Sequence, residues 1–189
     1  NVGAAVAACK QVFGIISVAR ALPCAKDKDA ILETAKTYLG DAMRAAKSFK
    51  VESKRADKSF PLGSIQLSQY VGGHLAEAFP DTKVDVHNPE LTVFVEIRED
   101  AAYVHGPAEP AAGGLPIGMG GNAVSLLSGG IDSPVSSYMM AKRGVKLEML
   151  HFASPPYTSE QAREKVLQLA RDLTPWCGRL TVFIVPFTE

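Results

Sequence analysis

Between Leu91 and Ile97 apolar and polar residues alternate, with Leu91, Val93, Val95 and Ile97 on one side. That period of two predicts a half-buried strand, and Ala101–Val104 follows closely enough to pair with it as a hairpin. Upstream the period lengthens to that of a helix. From Asp29 to Phe49 the apolar positions Ile31, Ala35, Tyr38, Leu39, Ala42, Met43 and Ala46 form one stripe. Ser64 is placed to cap a further helix whose stripe is Leu67, Val71, Leu75 and Phe79. Val2 to Phe13 reads as a helix ended by Gly14. Ile15 to Ala19 is β-rich, and Phe49 to Glu52 has the length of a short strand. Helices and strands in this mixture predict a modest α+β sandwich.

After Asn122 the pattern becomes a strand–helix series. Asn122–Leu127 reads as a short buried strand, followed by a helix near 134–143 that Gly144 stops. Lys146–Phe152 is the next strand. Thr158-Ser-Glu-Gln161 has the form of a capping box before a helix carrying Ala162, Val166, Leu169 and Leu173, and Leu180–Val185 is a third strand. Such alternation predicts a parallel, doubly wound sheet with ligands at the carboxyl ends of its strands. Between the two regions, Gly106–Gly121 holds three prolines, six glycines and no base. The expected organisation is a domain over 1–106, a linker over 107–121 and a second domain over 122–189. The chain begins at Asn1 without Met and stops just after the third strand, so a sequence truncated within a domain is expected.

Composition narrows the class. Hydrophobic residues make up 47% and charged residues 21%, ordinary for a globular protein. No apolar run has the length to span a bilayer, so no membrane partner is expected. Cys9, Cys24 and Cys177 form no metal spacing and fit reduced thiols in a cytoplasmic protein. Formal net charge is zero, which excludes a uniformly basic nucleic-acid binder. Locally the balance differs: Lys36 to Lys58 holds seven bases against three acids, net +4 over 23 residues. A patch of that sign attracts phosphates.

The densest chemistry lies in Leu126-Leu-Ser-Gly-Gly-Ile-Asp-Ser-Pro-Val135, at a strand-to-helix turn. Gly129 and Gly130 allow a tight turn and a close ligand, and Pro134 suits the first turn of a helix. Unpaired N–H groups at the helix start, beside the positive end of its dipole, bind phosphate. No Lys-Ser/Thr pair follows, so this is not a Walker A loop. Gly118-Met-Gly-Gly-Asn-Ala123 loosely spells a dinucleotide fingerprint but precedes its strand instead of following it. Ser128–Ser133 resembles the pyrophosphate loop of ATP pyrophosphatases, which cleave ATP between the α and β phosphates.

Together with that loop, His151-Phe-Ala-Ser-Pro-Pro-Tyr-Thr-Ser159 resembles the tRNA 4-thiouridine synthetase (tRNA sulfurtransferase) family. Phe49–Pro61, followed by Val84–Glu90, resembles that family's THUMP domain, an RNA-binding module. The resemblance implies an α/β chain: an α+β THUMP domain, then part of a parallel-sheet domain of the adenine nucleotide alpha hydrolase kind. It implies an enzyme that uses ATP and Mg²⁺ to adenylate a tRNA uridine and then replaces its O4 with sulfur. The sulfur would come as a persulfide from a cysteine desulfurase, and a ThiS-like carrier would link some members to thiamine thiazole synthesis. Pairing of two copies is also implied.

Residue by residue, Leu126 and Leu127 would touch the nucleotide, and Ser128, Gly129, Gly130, Asp132 and Ser133 would hold its phosphates. Asp132 would place Mg²⁺ as the catalytic carboxylate, and His151 and Phe152 would line the adenine. Lys50, Lys54, Arg55 and Lys58 would contact RNA. The sulfur-carrying cysteine would lie beyond residue 189, leaving Cys177 and Cys9 as structural thiols. Two other readings stand beside this one: a pyrophosphate-loop ligase acting on a small metabolite, and a fragment that only binds RNA. The basic run at Lys50–Lys58 argues against the metabolite ligase.

Overall fold

The computed structural model describes residues 1–154 and 159–187. In chain order its elements are α1 (Val2–Lys10), β1 (Ser17–Val18), β2 (Ala21–Cys24), α2 (Lys28–Ala45), β3 (Ser48–Arg55), α3 (Ser64–Ala78), β4 (Lys83–Val84), β5 (Leu91–Ile97), β6 (Ala102–His105), β7 (Glu109–Pro110), β8 (Asn122–Leu126), α4 (Asp132–Lys142), β9 (Lys146–Ala153), α5 (Glu160–Cys177) and β10 (Val182–Pro186). They form two compact units, Ala19–Glu109 on one hand and Asn1–Val18 with Pro110–Glu189 on the other.

In the first unit five strands lie in the order β2-β6-β5-β3-β4. The alternation in β5 is realised without exception: Leu91, Val93, Val95 and Ile97 are buried, and β6 pairs antiparallel with β5 as the hairpin pattern required. β3 runs parallel to β5 in a register that sets Phe49 beside Leu91 and Val51 beside Val93. Helices α2 and α3 close this side of the sheet, with Ile31, Ala35, Met43, Leu67, Val71 and Leu75 in the core. Removing a buried Leu or Ile side chain from such a core costs about 2–5 kcal/mol.

Several details depart from the sequence reading. β3 is longer than Phe49–Glu52 because its outward positions are polar and hide the strand period. β2 carries Pro23 and was not foreseen; it is an edge strand, where a proline costs no ladder bond. The cap of α3 is Gly63, not Ser64: the Gly63 N–H donates to Gln66 Oε1 at 2.9 Å, and Ser64 is the first helical residue.

In the second unit β10, β9 and β8 are consecutive and all parallel. Helices α4 and α5 pack on one another and on the face that presents Leu127, Leu147 and Met149. On the other face Val124, Leu126, Phe152 and Phe183 are exposed. The expectation of a buried first strand is therefore corrected: β8 borders the described sheet and only Leu127, just past its end, is deeply buried. The buried stripe of α5 is Val166, Ala170, Leu173 and Cys177; Ala162 is exposed. Ser159 caps α5, its hydroxyl accepting from the Ala162 N–H at 3.2 Å; the expected cap Thr158 lies outside the described residues.

The domain expectation also changes. α1 ends at Lys10, and the turn after it sends Phe13 into the second unit's core, 5.2 Å from the Tyr138 ring and 6.0 Å from Trp176 between centroids. Residues 1–18 thus group with 110 onward, not with a domain over 1–106. Nor is the glycine- and proline-rich stretch a free tether. Leu115 N–H donates to Lys142 O at 3.0 Å, and Gly118 and Gly120 N–H both donate to Gly144 O, at 2.7 and 2.8 Å. Among the described residues no helix is long and apolar enough to cross a membrane.

Candidate functional site

The strand-to-helix turn after β8 is built from short side chains bonded to one another. The Ser128 N–H donates to Ser133 Oγ at 3.0 Å, the two hydroxyls stand 3.2 Å apart, and the Gly130 N–H donates to Ser128 Oγ at 3.3 Å. These bonds curl Ser128–Ser133 into a fixed loop. α4 begins at Asp132 with no side-chain cap, since Ile131 stands at the N-cap position. An uncapped helix start keeps N–H groups for an incoming acceptor and concentrates the positive end of the dipole there. Pro134 occupies the first turn, where no intrahelical bond is lost.

A buried hydroxyl chain underpins the loop. Ser137, 2% exposed, donates to Ser133 O at 2.7 Å, and its Oγ lies 2.7 Å from Ser125 Oγ on β8. The first turn of α4 is thereby tied to the strand. Neither serine was singled out from the sequence, because their twelve-residue separation carries no periodic signal.

His151 and Leu127 meet at the carboxyl ends of adjacent strands: His151 Nδ1 donates to Leu127 O at 3.0 Å. That bond sets the tautomer, so the neutral imidazole presents Nε2 as an acceptor. Nε2 is buried and, among the described residues, has no hydrogen-bond partner. A buried polar atom left unpaired costs about 1–3 kcal/mol, a deficit that a donor from a ligand would relieve. Leu126 and Phe152 are 62% and 49% exposed on the helix-free face, whereas the Leu127 side chain points into the core. The pair Leu126 and Leu127 is thus split, one side chain to solvent and one to packing. Asp132 is exposed in the first turn of α4. Among the described residues no group of three or more His, Cys, Asp or Glu comes together as a metal site. The rest of the motif through residues 155–158 lies outside the described residues.

The basic run falls on both faces of β3. Lys50 and Lys54 share the helix-free face with Glu52, and Lys50 Nζ pairs with Glu52 at 2.5 Å. On the neighbouring strands of that face Phe94 stacks on His105 at 5.0 Å and 13°, and Glu96 lies beside Lys54 in the ladder. Arg98 hydrogen-bonded to the Glu96 carboxyl holds it below the usual carboxylate range. Arg55 is half-buried and turns the other way, donating to Phe60 O at 2.9 Å and Leu62 O at 3.1 Å. Its guanidinium shapes the loop that follows the strand. Lys58 is exposed within that loop. The loop is fastened from a second side by Lys26, which pairs with Asp57 at 2.7 Å and donates to Glu99 O at 2.7 Å.

Cys177 is buried against α5's packing face, and burial pushes its thiol up to about 11. That is a packed thiol without the thiolate character a nucleophile needs.

Residues 25–105 match the family described as THUMP domain, and residues 118–189 match the family described as thiamine biosynthesis protein (ThiI). The chain is 45% identical over 186 residues to a probable tRNA sulfurtransferase of Bacillus licheniformis, covering 98% of this chain and 46% of that protein. It is 47% identical over 181 residues to the corresponding protein of Limosilactobacillus fermentum, covering 95% of this chain and 45% of the relative. Among solved structures it is similar to a 4-thiouridine synthetase–RNA complex with bound ATP: 36% identity, a TM-score of 0.81, 95% of this chain and 48% of that one. The chain spans about half the length of the relatives it matches.

Proposed function

The chain belongs to the tRNA sulfurtransferase family, and from that premise we propose that it supplies the RNA-binding module and the ATP-binding loop of a tRNA 4-thiouridine synthetase. The observation that carries the reading is the uncapped start of α4 behind Ser128-Gly-Gly-Ile-Asp-Ser133, at the carboxyl end of a parallel strand. ATP would lay its β and γ phosphates in this loop. N–H groups fixed before the substrate arrives stabilise the charge on departing pyrophosphate without reorganising. The adenine would lie against Leu126 and Phe152 at the strand ends, with His151 bordering the same ends through its bond to Leu127 O. Mg²⁺ suits the Asp132 carboxylate together with phosphate oxygens, and would supply charge neutralisation there. In the reaction this implies, uridine O4 bonds to the α phosphorus and pyrophosphate leaves; the terminal sulfur of a persulfide then attacks C4 and displaces AMP, and a second thiol would break the remaining S–S bond, releasing 4-thiouridine and ending as a disulfide with the persulfide's own sulfur.

The tRNA would meet the first unit through Lys54, Lys58 and the Lys50 end of β3, with phosphate contacts dominating affinity. A cysteine desulfurase as sulfur source, a ThiS-like carrier, pairing of two copies and a cytoplasmic setting extend the same proposal. Arg55 enters it as a residue that shapes the RNA-facing loop through Phe60 O and Leu62 O.

Two measurements on the full-length protein test the reading. Filter binding of tRNA at 50 and 200 mM salt should show a steep loss of affinity; binding that ignores salt removes the RNA assignment. Asp132→Ala should abolish adenylation of tRNA while leaving tRNA affinity within about twofold. Normal thiolation by that variant would exclude the role given to Asp132.

A further inference from the structure

We infer that Lys165, on α5, is a phosphate contact for the pyrophosphate half of the nucleotide; the inference rests on the nucleotide reading above. Ser128–Pro134 contains an acid, Asp132, and no base. A helix dipole supplies only about half a positive charge. Phosphate loops that carry their own lysine place it against the β and γ phosphates, and here that position is empty of any base. A side-chain cation to act beside the Mg²⁺ at Asp132 would therefore come from another element.

α5 brings one to the loop. A Cβ built on Gly129 would stand 3.9 Å from Lys165 Cδ, so the lysine stem runs beside the open side of that glycine. The ammonium lies two bonds further along a flexible chain, within reach of whatever the loop holds. Lys165 is exposed, and among the described residues it stands in no ion pair. The adjacent acid on its helix is engaged elsewhere, Glu164 with Arg171 at 2.6 Å. An unpaired lysine over a glycine of a phosphate loop fits a polyphosphate and offers nothing specific to a base or ribose. The absence of a side chain at Gly129 leaves the approach open from the α5 side.

The test is titration of full-length protein with ATP, inorganic pyrophosphate and AMP as separate probes. Lys165→Met should weaken ATP and pyrophosphate about tenfold or more, the scale of one charge-assisted contact. It should leave AMP within about twofold, because AMP lacks the groups that Lys165 would meet. Lys165→Arg, which keeps the charge, should recover most of the loss. Unchanged circular dichroism and tRNA affinity separate this from misfolding. Wild-type affinity of Lys165→Met for ATP and pyrophosphate overturns the assignment while leaving the loop's role intact. An equal loss for all three ligands overturns it too, since it would mean a general disturbance of the site. Failure of the wild-type protein to bind ATP at all removes the nucleotide reading, and the Lys165 assignment with it.

Discussion

Ser137 looks unremarkable in the sequence, one serine among several in the first half of α4. The structure makes it a buried link between Ser125 of β8 and the Ser133 carbonyl beneath the loop. Ser137→Ala would take the partner from Ser125 Oγ, while Ser133 O keeps the Ser136 hydroxyl at 3.0 Å, at a cost of about 1–3 kcal/mol. Its expected signature is a raised KM for ATP and a lowered melting temperature with unchanged tRNA affinity; calorimetry and steady-state kinetics read the two effects. Cys177 illustrates the opposite case, where the sequence reading of a structural thiol agrees with its buried position. Burial raises its pKa, so the thiol stays protonated up to about pH 11. Native protein at pH 8 should leave Cys177 unlabelled by a maleimide, with labelling appearing on denaturation. Strand alternation places the Leu127 side chain in the core and turns Arg55 toward the Phe60–Leu62 carbonyls, positions that the spacing within their motifs does not reveal.

At the scale of elements, the stretch read as linker is a packed strap. Its glycines serve proximity as much as freedom: Gly114 has φ +79, and a Cβ there would stand 2.3 Å from Lys142 O. Gly114→Ala should therefore lower the second unit's melting temperature by several degrees, since strain and clash together exceed about 1 kcal/mol. The loop after β3 carries a pH signature. Lys26 and Ser59 hold the Asp57 carboxyl well below the usual carboxylate range, the Lys26 hydrogen bond being the largest cause. A group whose folded pKa is depressed contributes stability above its unfolded pKa and loses it as pH falls toward the folded value. The stability gap between wild type and Asp57→Asn should stay constant from pH 8 to 5. It should shrink below about pH 4, where the unfolded chain takes up the proton first. Urea unfolding across that range checks the sign.

At the scale of the whole molecule, the two units have separate cores, and Phe13 belongs to the second although it lies at the front of the chain. Phe13→Ala should cost that unit about 3–5 kcal/mol and leave the first unit's unfolding unchanged, while Val71→Ala should do the reverse. Hydrogen exchange resolved by segment distinguishes the two. A common loss in both units for either variant would contradict the division. The sequence pattern located the composition change near residue 106. It missed the return of residues 1–18 because no local periodicity records which core a distant aromatic will fill.

Local patterns determined a great deal. The alternation of β5, the stripes of α2 and α3, the stop at Gly144 and the strand–turn–helix form around Ser128–Ser133 all follow from spacing over a few residues. Backbone geometry repeats on that length, so the chain alone reveals it. Other features depend on residues far apart in the chain: the Ser125–Ser137 tie, the burial of His151 Nε2, the opposite facing of Lys54 and Arg55, and Lys165 beside Gly129. Each needs strand register or helix packing to be set before the contact exists. Only the tertiary structure decided them, because sequence separation carries no information about a distance that long-range packing alone defines.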